Sequence, residues 1–175
     1  MNTFTKAIRA VALTSTGLFL TFSLTQCNET NTAKETKTET METQNTIFPK
    51  GNRGPAEWFT GTVWVQILVP DETVYTTSIS SVTFEPNARS HWHRHPSGQI
   101  LLVTAGNGLY QEKGKPVERL HKGDVMKCPH NIEHWHGASP ESAMTHVAIV
   151  PNTGNGIVDW LQPVTDEEYN TPVDK

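Results

Sequence analysis

The chain is 175 residues long and carries 14 Lys and Arg against 18 Asp and Glu, a net charge of −4 with its 8 His neutral. With no basic excess or basic run to neutralise phosphates, a nucleic-acid partner is excluded, and two distant cysteines, Cys27 and Cys128, provide neither a disulfide framework nor a Cys-rich zinc site. Only 35% of residues are hydrophobic, low for a wholly globular chain. The shortfall is N-terminal. Every Trp and every His lies between Trp58 and Trp160, which places a compact domain in the C-terminal two-thirds.

Residues 1–27 read as an export signal. Lys6 and Arg9 supply a short positive region, and Ala10 to Thr25 is uncharged but too short and too rich in Thr and Ser for a membrane span. The stretch ends in Leu24-Thr25-Gln26-Cys27, which resembles a bacterial lipobox with Gln26 in the place of the usual small residue. The resemblance implies export to the periplasm or cell envelope as a lipoprotein, with membrane contact only through a lipid anchor at Cys27. Residues 28–46 alternate Thr, Glu and Lys with no aromatic. Such a segment cannot bury enough apolar surface to offset its ordering entropy, so it reads as a disordered tether.

The domain, residues 47–175, reads as all-β. Thr62–Val69 and Thr73–Glu85 are rich in β-branched and aromatic residues and are separated by Pro70-Asp71. Gly98–Thr104 is a short apolar run, and Asn107-Gly108 is a turn signal leading into Leu109-Tyr110-Gln111. Val117–Leu120, Asp124–Cys128 and Ala143–Val150 complete a set of short strands, and only Asp166–Tyr169 hints at a helical turn. Short strands at this spacing predict a sandwich or a small antiparallel barrel.

Six histidines form two clusters: His91, His93 and His95, followed by Gln99, and His130, His134 and His136. Strand residues two apart share a face. His93 and His95 can therefore point the same way, with Gln99 on the following strand, and His134 and His136 stand in the same relation. Neutral imidazoles converging in a barrel mouth suit Mn, Fe, Zn, Cu or Ni.

At this point the residues resemble the cupin family, a single-domain antiparallel β-barrel or jelly roll. Asn87 to Gly106 is similar to its first motif, G(X)5HXH(X)3–4E(X)6G, with Asn87 for the Gly and Gln99 for the Glu. Gly123, Pro129 and His134 match the second motif, with Asn131 at another Gly position. Both Asn substitutions are mild, because Asn tolerates the left-handed backbone. The resemblance implies one divalent metal per chain, held by His93, His95, Gln99 and His134. A neutral Gln leaves the metal its full positive charge, which favours Lewis-acid chemistry over the higher oxidation states of iron dioxygenases.

Gly54–Gly61, Trp92–Gln99, His134–Ala138 and Val164–Tyr169 look like bacterial manganese-dependent cupin hydroxynitrile lyases. That resemblance implies Mn, with Fe or Zn as alternatives, and a small-molecule substrate: a cyanohydrin split into an aldehyde and hydrogen cyanide, or formed from them. His136 is then the proton-transfer residue, and His91 and His146 are candidates for the pocket wall. Two alternatives stay open, an iron-dependent dioxygenase and a non-catalytic envelope cupin that binds metal or ligand. Trp58, Phe59 and Trp64 are expected in the barrel wall or a subunit contact, Trp92 and Trp135 in packing away from the ligands. His121 and His130 are expected in solvated or structural turns, and cupins of this kind pair as homodimers or homotetramers.

Overall fold

The computed structural model describes residues 47–171; the segments expected as an export signal, residues 1–27, and as a tether, residues 28–46, lie outside the described residues. In chain order the strands are β1 (Asn52–Arg53), β2 (Phe59–Thr60), β3 (Val63–Val69), β4 (Thr77–Phe84), β5 (Arg89–Ser90), β6 (His93–Arg94), β7 (Gln99–Glu112), β8 (Glu118–His121), β9 (Val125–Cys128), β10 (His134–Ala138), β11 (Met144–Pro151) and β12 (Asp159–Trp160). One helical turn, α1 (Asp166–Tyr169), follows. The domain is the all-β antiparallel barrel the sequence predicts.

Every strand pairing is antiparallel, and the path runs β1-β3-β4-β11-β7-β10-β5-β2. Strand β7 belongs to both halves of the barrel. Residues 99–106 pair with β9 and β11, whereas residues 107–112 pair with β8 and β10. At the crossover the register against β11 slips by one residue between Thr145 and His146, a bulge of the kind that bends a strand from one sheet into another.

This corrects the reading of Asn107-Gly108 as a turn. Both residues lie inside β7, paired with β8. Gly108 is required by close approach instead: a Cβ there would run into the Met144 sulfur and the Gly137 carbonyl. The predicted strand start at Thr73 is also early by four residues, since Glu72–Thr76 is a turn that ends on Thr76 at φ 47° and the strand begins at Thr77. The motif departures are conformational equivalents of glycine, as expected, with Asn87 at φ 67° and Asn131 at φ 58°.

Two apolar clusters hold the barrel. Inside it, Phe84, Leu101, Val103, Tyr110, Met144 and Val63 pack with Phe59 and Val82. Outside β10, Trp92, Leu109, Val117, Trp135, Val164 and Tyr169 form a second cluster. Trp92 and Trp135 thus pack away from the inner histidines, as alternation predicts.

The C-terminal segment closes that second cluster. Thr165 and Glu168 make a reciprocal capping box on α1, which satisfies two otherwise orphaned N–H groups. The buried Arg89 guanidinium donates to the Val164 carbonyl at 3.0 and 3.2 Å and pairs with Asp166 at 2.6 Å, while lying 4.6 Å from the Tyr169 ring. The Tyr169 hydroxyl donates to the Ala138 carbonyl at 2.8 Å. The tail is a clasp on β5 and β10, and β10 carries two of the site histidines.

Candidate functional site

His93 on β6 pairs across the sheet with His134 on β10, and their ring centroids stand 4.3 Å apart. Strand β6 ends at Arg94, so His95 sits one residue beyond it, at the start of a turn closed by the Gly98 N–H donating to the His95 carbonyl. Gly98 takes φ 79° there, a backbone an L side chain rarely adopts. The turn returns the chain into β7 at Gln99. Together these elements bring ring nitrogens of His93, His95 and His134, all buried, within 4.8 Å of one another. The Gln99 Oε1 lies 3.4 Å from His134 Nε2.

Each of the three rings has its other nitrogen engaged by the backbone. His93 Nδ1 meets the His91 carbonyl at 2.9 Å, His95 Nδ1 the Ile157 carbonyl at 2.6 Å, and His134 Nδ1 the Ile132 carbonyl at 2.9 Å. A carbonyl only accepts, so Nδ1 carries the hydrogen in all three rings. In a neutral ring the lone pair is then on Nε2, the arrangement that orients imidazoles for a metal. The rings are neutral because burial dominates: it drives His93 well below its ordinary value and lowers His134 to about 4, with His95 also lowered. The His95 Nε2 has no hydrogen-bond partner. Three buried lone pairs and a facing amide oxygen therefore fit a divalent cation, and with no thiolate or carboxylate among them the donor set is neutral and of intermediate hardness.

Beside this group lies a second buried pair. His136, two residues along β10 from His134, has its ring 5.2 Å from His93 and 4.8 Å from His146 on β11. Phe84 packs 5.7 Å from both His136 and His146. None of the four ring nitrogens of His136 and His146 reaches hydrogen-bond geometry. Burial pushes His136 well below its ordinary value, helped by the neighbouring His146 and His93, and lowers His146 to about 3, with the Val147 backbone only partly opposing it.

His93, His95, Gln99, His136 and His146 open onto one cavity of ≈ 170 Å³. His91 is buried but does not line it; its N–H donates to the Trp58 carbonyl at 2.8 Å. His121 ends β8 and His130 sits in a turn, and both are exposed. Sequence reasoning placed Trp58 and Phe59 in the barrel wall or a subunit contact but did not assign them, Trp160 or the β4 residues to the cavity. Trp58 and Phe59 face the cavity, and Trp58 stacks on Trp160 at 5.4 Å with the planes 5° apart. Trp160 also lies 4.9 Å from the His93 ring. Ser78, Ser80 and Val82 line the facing wall from β4. Their alternation along the strand was the available signal, because Val82 is paired with His146.

Residues 80–150 match the family model for the cupin domain. Over 129 residues the chain is 46% identical to an (R)-mandelonitrile lyase of Granulicella tundricola, an alignment spanning 74% of this chain and 98% of that protein. The chain is also similar to a cupin-like protein of Thermotoga maritima known from its crystal structure, at 49% identity and a TM-score of 0.72, covering 74% of this chain and 98% of that one. A cupin-2 domain from Rhodospirillum rubrum shares the fold alone, at 19% identity and a TM-score of 0.52 over 67% of this chain and 75% of that one.

Proposed function

Because the chain belongs to the cupin family, we propose that it uses the buried histidine site as a metal-dependent lyase, splitting cyanohydrins into an aldehyde and hydrogen cyanide or joining them. The observation that carries this reading is the pairing of two unlike histidine sets in one small cavity. One set has its lone pairs aligned by backbone carbonyls; the other, His136 and His146, is neutral, and its ring nitrogens reach no hydrogen-bond geometry among the described residues. The 46% identical relative named (R)-mandelonitrile lyase supports the reaction class.

His93, His95, Gln99 and His134 would hold the ion, with Mn as the proposed metal. Bound there, a divalent metal supplies Lewis acidity that lowers the pKa of a substrate hydroxyl. His136 accepts that hydroxyl proton on a ring nitrogen. As the carbonyl forms, the bond to the nitrile carbon breaks and its electron pair leaves with cyanide. His136 then returns the proton to cyanide, which departs as hydrogen cyanide. His146 is 4.8 Å from His136 between ring centroids and, with Phe84, fixes the orientation of the accepting ring. Trp58, Phe59 and Trp160 give the organic part of the substrate an aromatic wall.

The test is release of benzaldehyde from mandelonitrile by Mn-loaded protein before and after chelation. Metal-dependent release supports the reading; metal bound at one per chain without turnover removes the lyase assignment. As part of the same proposal, the protein is an envelope lipoprotein anchored at Cys27 and assembles as a homodimer or homotetramer. Lipid-precursor labelling that persists in Cys27→Ala, or a monomeric mass in solution, would remove those two points respectively.

A further inference from the structure

A cavity of ≈ 170 Å³ matches one aromatic ring, since an apolar cavity of about 150 Å³ takes up benzene. The histidines occupy one end. From there the inward face of β4 runs Val82, Ser80, Ser78. Val82 is level with His146, Ser80 with Ala148, and Ser78 with Val150. At a strand rise of about 3.4 Å per residue, the Ser80 row stands about 7 Å from the His146 row, with Ser78 one row further out. That is the span of one six-membered ring and a substituent on its far side.

Around the two serines the wall is aliphatic: Val65, Val82, Ala148, Val150, Ile157 and Val158. Neither serine side chain has a hydrogen-bond partner among the described residues. A hydroxyl held in an apolar wall against an apolar ring is desolvated without return, whereas an oxygen on the ring restores its hydrogen bond. A site that hydrogen-bonds a substrate hydroxyl also discriminates against the analogue lacking it.

We infer that Ser78 and Ser80 are specificity-determining residues that read an oxygen substituent on the substrate ring, remote from the reacting carbon. The chain's substrates are then cyanohydrins of ring-hydroxylated aromatic aldehydes in preference to the bare ring. This rests on the lyase reading for the reacting end only; recognition of the far end is a property of the pocket.

The experiment has a binding arm and a turnover arm, both on the metal-loaded full chain. Calorimetry compares 4-hydroxybenzaldehyde with benzaldehyde, and kcat/KM compares 4-hydroxymandelonitrile with mandelonitrile, in the native protein and in Ser78→Ala, Ser80→Ala and the double variant. The hydroxylated compound is expected to be favoured by about fivefold to tenfold, the worth of one neutral hydrogen bond. The double variant should bring that ratio within about twofold of unity, through weaker binding of the hydroxylated compound and equal or tighter binding of benzaldehyde. No preference in the native protein, or an equal preference in the double variant, overturns the inference. Discrimination in binding without cleavage of either nitrile upholds it and overturns the lyase reading instead.

Discussion

Acid should unfold the metal-free protein at a pH where most domains are intact. His93, His134, His136 and His146 are buried, and burial holds all four below the ordinary histidine value of 6.5, with His134 at about 4 and His146 at about 3. A group whose folded pKa is depressed contributes full stability above its unfolded pKa and loses it as pH falls toward the folded value. The window therefore opens near pH 6.5 and extends down toward pH 3. With an unfolded pKa of 6.5, a ring held near 4 or below in the fold costs about 2 kcal/mol between pH 7 and pH 5, so His134 and His146 alone cost about 4 kcal/mol, and His93 and His136 add to this in the same direction. A domain of this size has about 5–15 kcal/mol in total. His95, also lowered, adds in the same direction. Circular dichroism and tryptophan fluorescence followed from pH 7.5 to 3.5 should show a steep transition centred between pH 5 and 6. Metal should move it lower, because a ligand that binds only the folded state adds about 4.1 kcal/mol at a thousandfold excess over Kd. His146→Phe removes one protonation site and should make the transition shallower. A metal-free midpoint below pH 4, or an unchanged slope in His146→Phe, would show that the buried rings do not set the acid transition.

Two further outcomes follow from the packing. Tyr169→Phe removes the hydrogen bond to the Ala138 carbonyl and should cost about 1 kcal/mol in urea unfolding; no loss would show that the C-terminal clasp does not support β10. Cys128 is buried and its thiol is pushed up to about 12, so it should resist alkylation in the native protein at pH 8 and react only on unfolding, as read by peptide mass; rapid native labelling would contradict its burial.

The sequence exposed the histidine end of the cavity more clearly than its aromatic and aliphatic walls. The inner histidines were legible because the two-residue spacing of His93 with His95, and of His134 with His136, puts each pair on one face wherever the chain is extended. Asn87 and Asn131 were legible as glycine substitutes because their chemistry permits the left-handed backbone they adopt. Asn107-Gly108 was misleading. The dipeptide favours a hairpin turn, but this glycine answers to the close approach of β10 and Met144, a tertiary demand that local propensity does not register.

The two-residue strands β1, β2, β5, β6 and β12 carry too few residues to show an alternation. That is why Trp58, Phe59 and Trp160 could not be placed in the cavity from their pattern. His91 shares the parity of His93, yet β6 begins only at His93, so parity had no regular strand to act through.

The most direct test of the account measures metal content and mandelonitrile turnover on the same samples of native protein, His93→Ala and His136→Ala. His93→Ala should lose both metal and rate, whereas His136→Ala should keep one metal per chain and lose most of the rate. Full turnover in His136→Ala, or undiminished metal in His93→Ala, would contradict the division of the buried histidines into a metal-holding set and a proton-transferring one.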